Sequence, residues 1–248
     1  MTSKTMRAVA AVVAIVLGTG AASAWAAQPK KESTAERARR WSDLQHRIEH
    51  LESIKAVERL QFISGYYQDR MLFKELPTLF ADDGKIQWIH DVWEGKEAIH
   101  DMWVKYFGVA FSNNTFGPVP GRLFELPQWQ EIVTVAPDNM TAKSRYRTLA
   151  KMAYYREKEL WIAGVFENEY VKDNGVWKIK SMKFCSPWSA HYTEGWQNVR
   201  WSANPEWMPP LPEGVAPTRK ATPEEECKDR YPDVGIEPFH FEHPVGGA

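Results

Sequence analysis

Asn174-Gly175, set between the apolar runs of residues 160–172 and 176–188, constrains this chain more than any other feature. The pair takes the left-handed backbone that two-residue hairpin turns demand, so its flanks must pair as antiparallel neighbours. Two further runs of period two, residues 128–136 and 141–155, are joined by Pro137-Asp138-Asn139, and Arg156-Glu157-Lys158 leads on into the third. Four strands in hairpin succession make a meander, because parallel neighbours would need crossover helices between them. The expected sheet is therefore antiparallel throughout.

Upstream the period is 3.6. Ser33-Thr34-Ala35-Glu36 is a capping box, and Trp41, Leu44, Ile48 and Leu51 follow at alternating spacings of three and four. The stripe continues through Ile54, Val57, Leu60 and Ile63 to Tyr66 and Tyr67, which predicts a helix over residues 33–70. Its first half is polar on one side and packs either across the body or against a second subunit, so a homodimer is expected. Pro77 suits the first turn of a short helix within residues 72–80, and Ala81-Asp82-Asp83-Gly84 reads as a turn. Residues 85–91 read as a strand with Ile86, Trp88 and His90 on one face. Residues 95–107 read as a helix and residues 108–126 as a long loop. Helices first, then a strand, a helix and four strands, give an α+β domain: a curved antiparallel sheet, covered on one face by the N-terminal helices, around a single pocket.

Lys4 and Arg7, an apolar run from Ala8 to Leu17 and two A-x-A sites ending at Ala24 and Ala26 read as a secretory leader, residues 1–26. Export follows, to the periplasm in a Gram-negative source, with no stable membrane insertion after processing. Such a compartment permits a disulfide between Cys185 and Cys227; a bridge and two separate thiols are both open. With a formal charge of −1 there is no footprint for a phosphate backbone, and nucleic acid is not an expected partner. Nine of the 16 prolines lie from Pro205 onward, so the last segment reads as an extended tail. The divisions are a helical extension at residues 27–52, a domain at 53–192 and a proline-rich extension at 193–248.

Specific residues go further. Ile54-Lys55-Ala56-Val57 leads to Tyr66-Tyr67-Gln68-Asp69 and then Leu79-Phe80-Ala81-Asp82-Asp83-Gly84, followed by Gly95-Lys96-Glu97-Ala98-Ile99. Gly164-Val165-Phe166-Glu167-Asn168-Glu169-Tyr170-Val171 and Gly175-Val176-Trp177-Lys178-Ile179 complete the series. In this order they resemble the SnoaL-like branch of the nuclear transport factor 2-like superfamily. The resemblance implies a cone-shaped α+β barrel with one apolar pocket. It also implies cofactor-free chemistry, since the family includes dehydratases, isomerases and other lyases alongside members that only bind. Bile-acid dehydratases of this branch use an aspartate that Asp69 matches. Their tyrosine lies five residues earlier, where this chain has Ser64.

Nothing in the chain is a cofactor or metal motif, so any chemistry is acid–base and needs a donor and an acceptor inside an apolar cavity. Asp69 is the first candidate base, with Tyr67 and Tyr66 as phenols at the same mouth; the alternative is a surface carboxylate paired with Arg70. His90 is the second, either a neutral base among apolar neighbours or a hydrogen-bonded wall residue. Arg145 is a candidate oxyanion partner, by analogy with a strand arginine of the dehydratase relatives, on a strand whose basic face otherwise reads as solvated. Asn168 shares a face with Phe166 and Tyr170 and is the inward residue of its strand, opposite Glu167. Trp88, Trp103, Tyr146, Phe166, Asn168 and His191 are the expected substrate-binding set. Flat walls of this kind suit a hydrophobic, aromatic or polycyclic small molecule. His240 and His243 stand at i, i+3 without a further ligand, and no metal is expected.

Overall fold

The computed structural model describes residues 32–199 and 201–246; the leader expected at residues 1–26 lies outside them. The chain divides into two compact units, one ending at Gln45 and one starting at His46. In the first, Ser33 N–H donates to Glu36 Oε2 (2.7 Å) and Glu36 N–H donates to Ser33 Oγ (3.2 Å), the reciprocal cap that opens helix α1 (Thr34–Asp69). Trp41 and Leu44 lie exposed on it.

In the second unit α1 buries Ser53, Val57, Gln61, Ser64, Gly65 and Gln68. The stripe read from the sequence put Ile54, Leu60 and Ile63 at that face, yet they are only half-buried. The buried line is rotated from them and, Val57 apart, is made of small and polar residues. After a 3₁₀ turn at Leu76–Leu79 come β1 (Phe80–Trp88) and β2 (Asp91–Glu94). Ala81-Asp82-Asp83-Gly84 is no turn; it is an irregularity inside β1, where the register jumps between Phe80 and Lys85.

A continuous helical run follows: α2 (Lys96–His100), a π-helical stretch (Asp101–Phe107) and α3 (Gly108–Ser112). The loop expected from residue 108 therefore begins later. Gly108 signalled a stop, but its backbone is helical and a Cβ there would stand 2.7 Å from the Phe116 ring. It is glycine for close approach, and Asn113, at φ 49°, ends the helix.

The remaining strands are β3 (Arg122–Glu125), β4 (Gln128–Val135), β5 (Thr141–Tyr154), β6 (Lys158–Asp173), β7 (Val176–Cys185), β8 (Ser189–His191) and β9 (Arg219–Lys220). The described strands form one sheet of order β3-β5-β6-β7-β1-β2-β9, with β4 on β5 and β8 on β6. The meander of β4 to β7 is antiparallel as expected, but β1 lies parallel to β7, so the sheet is mixed. Hairpin logic governs consecutive strands and is silent on a strand returning from far upstream. The sheet is curved and unclosed, and the fold is α+β.

Register lays out the inner face in rows. Tyr146, Phe166, Phe184 and Trp88 are partners across β5, β6, β7 and β1, and Ser144, Asn168, Met182 and Ile86 form the next row. Trp103, Phe107 and Phe111 pack down from the helical run, Trp88 stacking on Phe184 at 4.3 Å and meeting Phe107 edge-on at 5.2 Å. The expected apolar interior is thus filled by aromatic rings rather than left as an open bowl. The tail is extended and docked: β9 pairs with β2, Trp207 is buried, and Cys185 is bridged to Cys227. Among the described residues no helix is long and apolar enough to cross a membrane.

Candidate functional site

The polar line of α1 meets the inner face of the sheet. Gln61 Oε1 accepts from Asn168 Nδ2 and from the Tyr170 hydroxyl, both at 2.8 Å, and Gln61 Nε2 donates to Gln128 Oε1 at 2.6 Å. Ser144 Oγ and Tyr170 OH share a hydrogen bond of 2.8 Å. Around this network five buried polar atoms have no protein partner: Gln68 Oε1, Gln128 Nε2, Tyr146 OH, Thr148 Oγ1 and Asn168 Oδ1. The indole nitrogens of Trp88 and Trp103 join them at the aromatic end. Each such group costs about 1–3 kcal/mol if left unpaired. Their concentration between one helix and one sheet face marks hydrogen-bonding capacity that the fold itself does not use.

Asp69 sits at the end of α1, where its Oδ1 accepts from Leu126 N–H at 2.5 Å in the β3–β4 connection. Burial pushes its carboxyl above the ordinary range, the Leu126 N–H opposes this, and the nearby Glu125 charge adds to the rise. A crevice of about 180 Å³ opens beside it, lined by Arg70, Arg122, Glu125 and Lys151. Leu126, which holds Asp69, stands two residues before Gln128, the β4 partner of Thr148. Tyr146, buried throughout, has its phenol pushed far up by burial and remains a hydrogen-bond donor at any working pH.

Of the residues anticipated from sequence, Asn168, Tyr146, Phe166, Trp88 and Trp103 are gathered in this interior. Tyr67 is half-buried against the core, whereas Tyr66 is 70% exposed. Successive helical residues stand about 100° apart, so both phenols cannot reach one mouth. His90 leaves the strand face assigned to it: Ile89 takes φ 58°, which breaks the alternation and puts His90 in the β1–β2 turn. There its Nε2 lies 3.7 Å from Asp91, itself paired with Lys220, and burial lowers its pKa. Arg145 lies on the outer face, 2.7 Å from Glu167. His191 pairs with Glu206 at 3.0 Å on β8. The Asp69 crevice includes none of these three. Gln61, Gln68 and Gln128 were not anticipated. The available signal was the spacing of Gln61, Ser64 and Gln68 by three and four within an apolar helix.

The described residues offer one grouping of metal-ligand type, Cys185, Cys227 and Glu237. Its sulfurs are spent in the disulfide, which leaves one carboxylate.

The SnoaL-like domain model matches residues 49–183. The chain belongs to the SnoaL-like family. With it comes the nuclear transport factor 2-like superfamily, whose order of elements is the one described. Similar solved structures include a putative scytalone dehydratase from Novosphingobium aromaticivorans DSM 12444, 21% identical, covering 58% of this chain and 90% of that one with a TM-score of 0.48. The hexachlorocyclohexane dehydrochlorinase LinA-type3 from Novosphingobium barchaimii LL02 is 18% identical over 58% and 92%, TM-score 0.46. An NTF2-like protein with a cystatin-like fold from Novosphingobium aromaticivorans is 15% identical over 63% and 91%, TM-score 0.44. No protein of curated function matches. The SnoaL-like match ends at residue 183, so it covers neither β8 nor the tail.

Proposed function

We propose that this SnoaL-like protein is a cofactor-independent lyase or isomerase acting by acid–base chemistry on a small hydrophobic, aromatic molecule. One observation carries the reading: Asp69, a carboxyl whose pKa burial has raised, lines a crevice at the end of the helix that carries Gln68 and accepts from Leu126, two residues before Gln128. The side chains of Gln68 and Gln128 bear unpartnered buried polar atoms. A carboxyl with a raised pKa as base and a phenol that stays protonated as donor are the pairing that proton abstraction with oxyanion stabilisation needs. In a dehydration, Asp69 takes a proton from carbon, the adjacent carbon–hydroxyl bond breaks as the double bond forms, and the proton leaves with the hydroxide as water. In the retro-aldol variant, Asp69 takes the proton of a hydroxymethyl group, formaldehyde departs as the carbon–carbon bond breaks, and the proton returns to carbon. Tyr146 and Gln128 donate to the oxygen that gains charge, and the apolar lining of the Asp69 crevice, Met71, Leu123 and Phe124, receives the ring.

The test is incubation of the full chain with diaryl compounds bearing hydroxymethyl groups, steroids and simple aromatic alcohols. Tryptophan quenching reports binding, and mass spectrometry reports loss of water or formaldehyde. Turnover abolished by Asp69→Asn supports the reading; turnover unchanged by it overturns the assignment of the base. A binding protein without turnover is the second reading, favoured by the commitment of Asp69 Oδ1 to the Leu126 N–H. Quenching by a ligand that is never altered would establish it.

A further inference from the structure

The outer face of the same strands carries a second groove, on the side of the sheet away from Asp69. Trp129 on β4, Arg147 on β5 and Val165 on β6 are register partners, and Cys185 continues the row onto β7. The tail walls this row into a groove of about 630 Å³, lined among others by Trp129, Trp188, Tyr231, Phe239, Arg147 and Asp229. Three contacts fix the wall. Cys227, bridged to Cys185, anchors it two residues before Asp229. Tyr231 N–H donates to the Pro187 carbonyl at 3.1 Å. Arg145 donates to the carbonyls of Glu237 and Pro238 (3.2 and 3.4 Å) and lies 4.6 Å from the Phe239 ring centre.

The charges on this face are matched, with one exception. Lys143 faces Glu169 at 3.5 Å, Arg145 faces Glu167 at 2.7 Å and Lys183 faces Glu237 at 2.9 Å. Arg147 is in no ion pair among the described residues and holds a single 3.3 Å hydrogen bond to the Gln130 side chain. Arg147 lines the groove together with Trp129, Trp188, Tyr231 and Phe239, and of its fork only Nη1 is engaged, by Gln130. The groove's one acid, Asp229, has its carboxyl pushed up by burial and by the Glu237 charge, against the pull of Arg147 and Arg145.

We propose that this groove binds a planar aromatic carboxylate, its ring between the Trp129 and Trp188 side and the Tyr231 and Phe239 side, its carboxylate on Arg147. The fork of a guanidinium matches two carboxylate oxygens, flat walls suit a ring, and the volume falls within the roughly 300–1,000 Å³ of small-molecule sites. The site shares no side chain with the Asp69 crevice and does not rest on the acid–base reading.

Calorimetry and tryptophan fluorescence on the full oxidised chain, with 2-naphthoate and its neutral analogue 2-naphthamide as probes, test the proposal. Naphthoate is expected to bind and quench, and naphthamide to bind more weakly. Arg147→Gln should weaken naphthoate about tenfold or more, Arg147→Lys should restore part of the loss, and Asp69→Asn should leave it unchanged. Equal affinity for the two probes, no binding by either, or a loss that follows Asp69→Asn rather than Arg147→Gln would each overturn it. Should the Gln variant fold poorly, the Lys variant decides: a preserved preference for naphthoate supports the site, and an abolished one sinks it.

Discussion

Strand β5 serves two regions of opposite character. Ser144, Tyr146 and Thr148 point inward and are buried, whereas Lys143, Arg145 and Arg147 alternate with them on the outer face. Inside, several buried neutral polar atoms go without protein partners. Outside, charges are matched to other charges or to tail carbonyls, Arg147 excepted. Leaving neutral polar groups unpaired in a core is the costlier arrangement, since a surface ion pair contributes only about 0–1 kcal/mol. The inner face therefore looks organised for something other than stability, and the outer face for holding the tail.

Substitutions that break this contrast should differ in size and kind. The largest effect is expected on catalysis: Asp69→Asn should lower kcat/KM by about 10²–10⁴-fold with the fold intact, as loss of a general base does. Activity should rise with pH as Asp69 ionises, at a pKa above the usual value of about 3.9. Because the Glu125 charge helps to raise it, Glu125→Gln should move that limb to lower pH in a pH–rate profile. Next comes stability. Trp88→Ala removes a ring packed on Phe184, Phe107 and Trp103 and should cost about 3–5 kcal/mol in urea unfolding. Lys143→Ala, on the outer face with an exposed ion pair, should cost less than about 1 kcal/mol. Comparable losses for the two would erase the distinction between the faces.

The tail should respond separately. Replacing Cys185 and Cys227 by serine frees a loop spanning 42 residues of sequence and should cost roughly 2–4 kcal/mol. Hydrogen exchange should show the loss in residues 219–240 before it shows in β5. Gly164→Ala acts on the packing of β6 against Phe184 and Thr148. A Cβ there would run into the Phe184 ring and stand 2.7 Å from Thr148 Cγ2, so overpacking should cost about 1–3 kcal/mol while tail protection is unchanged.

Much of this was legible because alternation is unambiguous. The spans of β4 to β7 and the inward assignment of Asn168 over Glu167 follow from period two, and the long helix follows from its cap and stripe. Other features were not legible, for physical reasons. The parallel pairing of β1 with β7 joins segments almost a hundred residues apart, and no local pattern encodes it. The buried line of α1 was misplaced because Gln61, Ser64 and Gln68 read as polar, and polar side chains are ordinarily assigned to solvent. His90 was misplaced because a single positive φ at Ile89 undoes the alternation. Whether Cys185 and Cys227 bridge depends on where an extended tail docks, which proline content alone does not say.

The smallest predicted effect tests the outer face directly. Glu167, one residue from inward-facing Asn168, is covered by the tail, and burial pushes its carboxyl up to about 7. Arg145, Lys183 and Lys143 pull it down and Glu237 pushes it up, while His240 Nδ1 stands 3.2 Å from Glu167 Oε2. Since the folded pKa exceeds the unfolded value of about 4.3, the native state holds this proton more tightly. Its contribution to stability is present below about pH 4.3 and is lost as pH rises through about 7. His240, whose pKa burial lowers, acts in the opposite sense, its contribution being present above about pH 6.5 and lost as pH falls. Between about pH 6.5 and 7.5 His240 offsets part of the Glu167 effect, and tail docking should weaken across that window by less than about 1 kcal/mol. In Glu167→Gln, which carries no titrating group at that position, hydrogen exchange of residues 227–240 should no longer show that weakening over the same interval. Parallel pH profiles for the two proteins would mean that Glu167 is ionised throughout, and the outer face would then differ from an ordinary solvated one only in being shaded by the tail.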